Sequence, residues 1–147
     1  MLRRAEEKDR EIYLALAEEF YHSPAVLHPV PSAWLEKTFS EFTRSDVYAE
    51  CYILSAGGED CGYALLAKSF SQEAGGPVVW LDEFYVREPF RGHGLGGEFM
   101  RFLLEKYGRT ARIRLETEPE NERARKLYKK LGFTELNYLQ MVREREE

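Results

Sequence analysis

The residues best suited to chemistry lie together in Arg91-Gly92-His93-Gly94-Leu95-Gly96-Gly97. Four glycines in six residues stand beside an arginine, where a strand-like run gives way to a helix-like one. Glycines there let the backbone approach a ligand closely, and the N–H groups and dipole of a helix start favour an anion. The natural guest is a phosphate or pyrophosphate. Gly92-x-Gly94-x-x-Gly97 formally satisfies the dinucleotide fingerprint, with Glu116 about 20 residues on. Against that reading, five residues (87–91) separate the strand from the first glycine, and only one helix and two strands follow. The Walker and kinase patterns fail, because their lysine and aspartate partners are missing. Glu83 is a second candidate: a carboxylate inside the mostly apolar run of residues 78–86 needs a reason to be there. Cys51 and Cys61 lack metal-ligand spacing, and His22, His28 and His93 form no helical pair, so no metal is expected.

These residues need a scaffold, and the patterning predicts one. Residues 2–4 suit a short strand. Ile12, Leu14, Leu16, Ala17 and Phe20 mark a helical face over residues 7–20, and Trp34, Leu35, Thr38, Phe39 and Phe42 mark another. Three prolines at 24, 29 and 31 separate the two. Residues 47–56 and 61–67 read as a hairpin about Gly57-Gly58, followed by a polar loop over 68–77. Residues 78–86 form the strongest strand and 95–107 a helix. Residues 111–117 suit a strand, 120–131 a helix capped by Gly132, and 134–142 a last strand. The order predicts one mixed α/β domain over residues 1–147.

A family resemblance gathers these pieces. Arg91-x-x-Gly94-x-Gly96 resembles the arginine/glutamine-x-x-glycine-x-glycine/alanine signature of the GNAT superfamily of N-acetyltransferases. Leu81-Asp82-Glu83-Phe84-Tyr85-Val86 resembles that family's fourth strand. Asn121-Glu122-Arg123-Ala124, Leu127-Tyr128 and Leu131-Gly132-Phe133 resemble its asparagine-x-x-alanine, leucine-tyrosine and leucine-glycine-phenylalanine block, so the likeness covers about residues 78–142. It implies the three-layer acyl-CoA N-acyltransferase fold, a mixed α+β arrangement with a central, mostly antiparallel sheet and helices on both faces.

The resemblance also implies acetyl-coenzyme A as donor. Its pyrophosphate would rest on the backbone of Gly92, His93, Gly94, Leu95, Gly96 and Gly97, assisted by Arg91. Its pantetheine arm would run along Phe84, Tyr85 and Val86, where the fourth and fifth strands splay apart. Asn121 would touch the cofactor from the next helix, a place where asparagine also suits a cap. Tyr128 would protonate the leaving thiolate, and Glu83 or Glu116 would serve as base. The acceptor amine would bind over the two N-terminal helices, walled by residues 21–31 and 68–77. With no cysteine near these motifs, direct attack in a ternary complex is expected.

Composition bounds the partners. The 147 residues carry 21 lysines and arginines against 26 aspartates and glutamates, a net charge of −5. That balance lacks the basic footprint of a nucleic-acid binder and suits a cationic amine, either a small molecule or a peptide. No apolar run reaches the roughly 20 residues of a membrane span, and the first residues do not read as a signal peptide. A cytoplasmic location without a membrane partner is expected, and a homodimer is compatible with this reading.

Overall fold

Pro24, Pro29 and Pro31 leave no helix a way through the first interhelical loop, so helix α1 (Arg10–Tyr21) stops before it and α2 (Ser32–Arg44) starts after it. The computed structural model describes residues 1–146, grouped into two compact units, Met1–Glu116 and Thr117–Glu147. The first unit adds strands β1 (Leu2–Arg4), β2 (Ala49–Ala56), β3 (Glu59–Ser71), β4 (Gly76–Val86) and β5 (Arg112–Leu115), with helix α3 (Leu95–Tyr107) between β4 and β5. The second unit contains helix α4 (Glu122–Lys130).

The five strands form one sheet in the order β1-β2-β3-β4-β5, antiparallel throughout except for the parallel β4–β5 pair. This is the mixed, mostly antiparallel architecture expected from the sequence. Successive strand residues point to opposite faces. On one face Cys51, Ile53, Tyr63 and Leu65 meet Tyr13, Leu16, Leu35, Phe39 and Phe42 of α1 and α2. On the other, Tyr52 and Phe84 pack against Phe99 of α3, with ring centroids 6.2 and 5.7 Å apart.

Two expectations need correction. Residues 68–77 are largely paired strand: Ser69 opposes Val78, Phe70 opposes Pro77, and only a tight turn closed by Gly75 joins β3 to β4. The stretch is polar because this arm of the hairpin is exposed at Ser69 and Phe70. Residues 134–142 have no regular secondary structure. Alternating apolar residues there specify a face that a strand would bury, but a strand also needs a ladder neighbour, which a local pattern cannot supply.

One buried charge fixes α3 on the sheet. Glu50 of β2 is 1% exposed. Its Oε1 accepts from Lys68 Nζ at 2.8 Å and Tyr107 hydroxyl at 2.6 Å, and its Oε2 accepts from Tyr52 hydroxyl at 2.8 Å and Lys106 Nζ at 3.4 Å. Burial alone would raise the Glu50 pKa. The bonds from Lys68, Tyr107 and Tyr52, together with the Lys106 charge, overcome it and bring the value down to about 2. Because the folded pKa is depressed, the stabilisation is fully present above the unfolded value and fades as pH falls toward about 2. Urea titrations of wild type and Glu50→Gln should therefore differ by on the order of 3 kcal/mol at pH 7, and the gap should narrow below pH ~4.5 and close as pH falls to about 2. A gap that stays constant over that range would contradict the assignment.

Candidate active site

Strand β4 carries the site, and one irregularity aims it. Pairing with β3 passes from Leu66↔Leu81 directly to Leu65↔Glu83, so Asp82 is an inserted residue, a β-bulge. Residues opposite one another across an antiparallel pair share a face. Leu65 belongs to the α1–α2 core and Leu66, its neighbour, points the other way. Regular alternation would have set Glu83 on the same side as Leu81. The bulge instead turns Glu83 and Tyr85 toward α1 and α2.

There the Glu83 carboxylate is held by two phenols. Tyr63 donates its hydroxyl to Oε1 at 2.7 Å, and Tyr21, from the last turn of α1, donates to Oε2. The carboxylate borders a cavity of about 130 Å³ lined by Tyr13, Tyr21, Val30, Trp34, Leu35, Thr38 and Leu65. Burial pushes the Glu83 pKa above the ordinary carboxylate range, the two phenolic bonds pull it back, and the Asp82 charge adds to the rise. Burial and the Glu83 charge push both tyrosines up as well, so they remain donors. Asp82 is raised by burial and by the charge of Glu116. Glu116 itself is exposed, one residue beyond β5.

The remaining expected residues of this unit surround the other edge of β4. The β4–β5 ladder runs from Val78↔Arg112 to Leu81↔Leu115 and stops at the bulge. Phe84, Tyr85 and Val86 pair with Ala64, Tyr63 and Gly62 on the β3 side. Within this unit no strand bonds to their opposite edge. The Arg91 Nε donates to the Val86 carbonyl at 2.7 Å, and its guanidinium lies 5.8 Å from the Tyr85 ring centroid. Gly92 and Gly94 have φ of +80° and +84°, a left-handed backbone that favours glycine. A Cβ at either would meet nothing within 4 Å, so the ground before the loop is open. His93 is exposed there, whereas the Leu95 side chain is buried and offers only its backbone. No side chain caps the first turn of α3, which Leu95, Gly96 and Gly97 open. An uncapped helix start behind an open glycine loop fits a phosphate-bearing cofactor.

A further group ties this end of β4 to α1. Glu19 accepts from Arg87 Nη2 at 2.8 Å and from the Tyr85 hydroxyl at 3.1 Å. Sequence reasoning passed over Glu19 and Tyr63 because their partners lie 68 and 20 residues away. The one available signal was that a tyrosine in a buried strand needs a bond for its hydroxyl.

In the second unit, Asn121 caps α4, its Oδ1 accepting from the Ala124 N–H at 3.2 Å. Tyr128 is half-buried, with its ring 5.9 Å from that of Phe133, and burial raises its pKa. Its phenol is therefore neutral over the physiological range. Gly132 ends the helix with φ +94°, as expected of a C-cap. Among the described residues no group of three His, Cys, Asp or Glu side chains could hold a metal ion, and no helix is long and apolar enough to cross a membrane.

Comparison with known proteins agrees with this geometry. The model of the acetyltransferase (GNAT) family matches residues 10–133, and the chain belongs to that family. Thialysine N-epsilon-acetyltransferase of Bos taurus is 30% identical over 151 residues, covering 92% of this chain and 85% of the relative. Spermine/spermidine N(1)-acetyltransferase of Bacillus subtilis is 30% identical over 81 residues, covering 52% of this chain and 53% of the relative. Among solved structures, AAC(6')-Iy in complex with a CoA bisubstrate analogue superposes with a TM-score of 0.78 at 20% identity, covering 99% and 97% of the two chains. Ribosomal-protein-alanine N-acetyltransferase of Brucella melitensis biovar Abortus 2308 gives 0.76 at 17% identity, covering 98% of each. The chain is accordingly an acetyl-coenzyme A-dependent N-acetyltransferase acting on an amine.

The tyrosine grip on Glu83 generates a pH prediction. Tyr63→Phe removes a bond that favours the ionised carboxylate, so Glu83 should titrate at higher pH in the variant. The acidic limb of the kcat/KM profile is expected to move up in pH, while the basic limb stays in place. An acidic limb that does not move would separate it from Glu83.

Proposed function

We propose that the cavity at Glu83 receives the acceptor amine, that Glu83 takes its proton, and that the acetyl group is transferred directly, without an acyl-enzyme. The observation that carries this reading is a half-buried carboxylate with an elevated pKa at the border of a cavity walled by Tyr13, Tyr21, Trp34 and Leu35, on the strand whose free edge leads to the glycine loop. An alkyl ammonium has a pKa near 10.4, so at neutral pH it must lose a proton before it can attack. A base whose pKa is lifted toward the working pH does this best. Glu116 is exposed and lacks that environment, which favours Glu83 over it.

When bound, acetyl-coenzyme A supplies the thioester carbonyl that the amine attacks. Gly92, Gly94 and the first turn of α3 would hold its pyrophosphate by backbone N–H groups, with Arg91 beside them. Residues 84–86 would bond its pantetheine arm, and their outward N–H groups would polarise the carbonyl. Asn121 would support the cofactor while capping α4. Tyr128, kept protonated by burial, would hold the proton destined for the sulfur. Small cationic amines are the favoured acceptors, in line with the names of the two relatives and the acidic charge of the chain. Neither a nucleic-acid nor a membrane partner enters this reading, and it places the enzyme in the cytoplasm.

Acetyl-coenzyme A-dependent release of free thiol, measured with an amine panel, is the test. Glu83→Gln and Tyr128→Phe should each lower kcat by about 10²-fold, the usual worth of a proton-transfer group, and leave coenzyme binding unchanged by calorimetry. Wild-type kcat in either variant would remove that residue from the mechanism. Gly94→Val should weaken coenzyme A binding by more than tenfold while costing only about 1–2 kcal/mol of stability from its left-handed backbone. Unchanged affinity would refute the loop assignment.

A further inference from the structure

Coenzyme A brings more negative charge than the residues placed so far can balance. Besides its pyrophosphate it carries a phosphate monoester on the 3′ oxygen of the ribose, worth about −1.5 to −2 at neutral pH. The chain itself has a net charge of −5, so this group needs a cation close by. Arg87 is not free for it, because Glu19 already grips its Nε and Nη2. Arg91 is tied by Nε to the Val86 carbonyl and stands beside the pyrophosphate seat. Arg101, on the second turn of α3, is exposed, and among the described residues no side chain pairs with it. Glu98, one turn before it, is paired with the Met1 ammonium at 3.2 Å instead. Helical side chains lean toward the helix N-terminus, so Arg101 reaches back over the first turn. A Cβ placed on Gly97 would lie 3.6 Å from its Nη1. Bond geometry then puts that nitrogen within about 6 Å of the Gly97 amide nitrogen, one of the N–H groups left free where α3 starts.

We propose that Arg101 binds the 3′-phosphate of the coenzyme while the glycine loop and the first turn of α3 hold the pyrophosphate. This inference rests on the assignment of the loop to the pyrophosphate. Both phosphate groups hang from one ribose, so a cation just past the helix start meets the second group once the first is seated. A guanidinium presents a planar fork that matches two phosphate oxygens. With no carboxylate on it, the fork of Arg101 is open to such a ligand. Arg101 thereby makes the enzyme selective for the adenosine 3′-phosphate, a part of the donor remote from the thioester.

The test is calorimetric titration with coenzyme A and with 3′-dephospho-coenzyme A. Wild type should bind coenzyme A about tenfold more tightly, the scale of one charge-assisted hydrogen bond. Arg101→Gln should erase that ratio by weakening coenzyme A alone, and Arg101→Lys, which keeps the charge, should retain part of it. Arg109→Gln makes the same charge change just beyond the other end of α3 and should leave the ratio as it is. Added salt should shrink the wild-type ratio, because the contact is exposed. Equal binding of the two ligands by the wild type, or a ratio that survives Arg101→Gln, would overturn the inference. An equal loss of both ligands in Arg101→Gln would overturn it too, by placing Arg101 on the pyrophosphate. The loop reading fails separately: Gly94→Val with both affinities intact would remove the loop, and the basis of this inference with it.

Discussion

The structure depends on one inserted residue. At Asp82 the ladder between β3 and β4 skips a position, and three consequences follow from that skip. Glu83 and Tyr85 turn to the α1–α2 face, where the cavity is. Phe84 turns to the face of α3 and meets Phe99. The parallel ladder to β5 ends at Leu81, immediately before the bulge, so the edge of β4 that continues toward the glycine loop has no strand beside it in this unit. A bulge bends and twists its strand at the expense of one ladder position. Here that loss falls on the segment, residues 84–86, along which the proposed coenzyme arm would bond.

Around the bulge the chain places groups that hold β4 from both sides. Tyr21 and Tyr63 fix the Glu83 carboxylate between α1 and β3. Glu19 fixes Arg87 and Tyr85 to α1, and Arg91 bonds back to Val86. Gly62 lies so close to the end of β4 that a Cβ there would sit 2.4 Å from the Tyr85 carbonyl oxygen. On the far side, the Glu50 cluster anchors the last turn of α3, and with it the helix whose first turn follows the glycine loop. These polar groups are paired, which is the condition under which buried charges specify a geometry rather than merely weakening the core.

Much of this was legible in the sequence where the determinants are local. Helix periodicity and prolines gave α1 and α2, the left-handed glycines marked the loop, and residues 95–107 coincide with α3. The resemblance carried by Arg91, Gly94, Gly96 and the Asn121–Phe133 block named the family correctly. The bulge is not legible in the sequence, because period-two alternation assumes that every residue takes its turn and would set Leu81 and Glu83 on one face. The partners of Glu83 and Glu19, and those of Glu50 other than Tyr52, were hidden for a related reason: each of these pairings is made by tertiary packing across 18 to 68 residues. The last strand was overread because alternation in residues 134–142 says nothing about an available edge. The polar arm of the β3–β4 hairpin resembles a loop in sequence because an exposed strand lacks the apolar alternation that marks a buried one.

Amide deuterium exchange with and without coenzyme A would show whether the bulge frees the β4 edge for the coenzyme. Protection should appear on adding coenzyme A at residues 82–86 and 92–97, and change little at Val78–Leu81, which β5 already covers. Protection confined to other segments, or none along residues 82–86 at saturating coenzyme A, would mean that the coenzyme does not run along this edge.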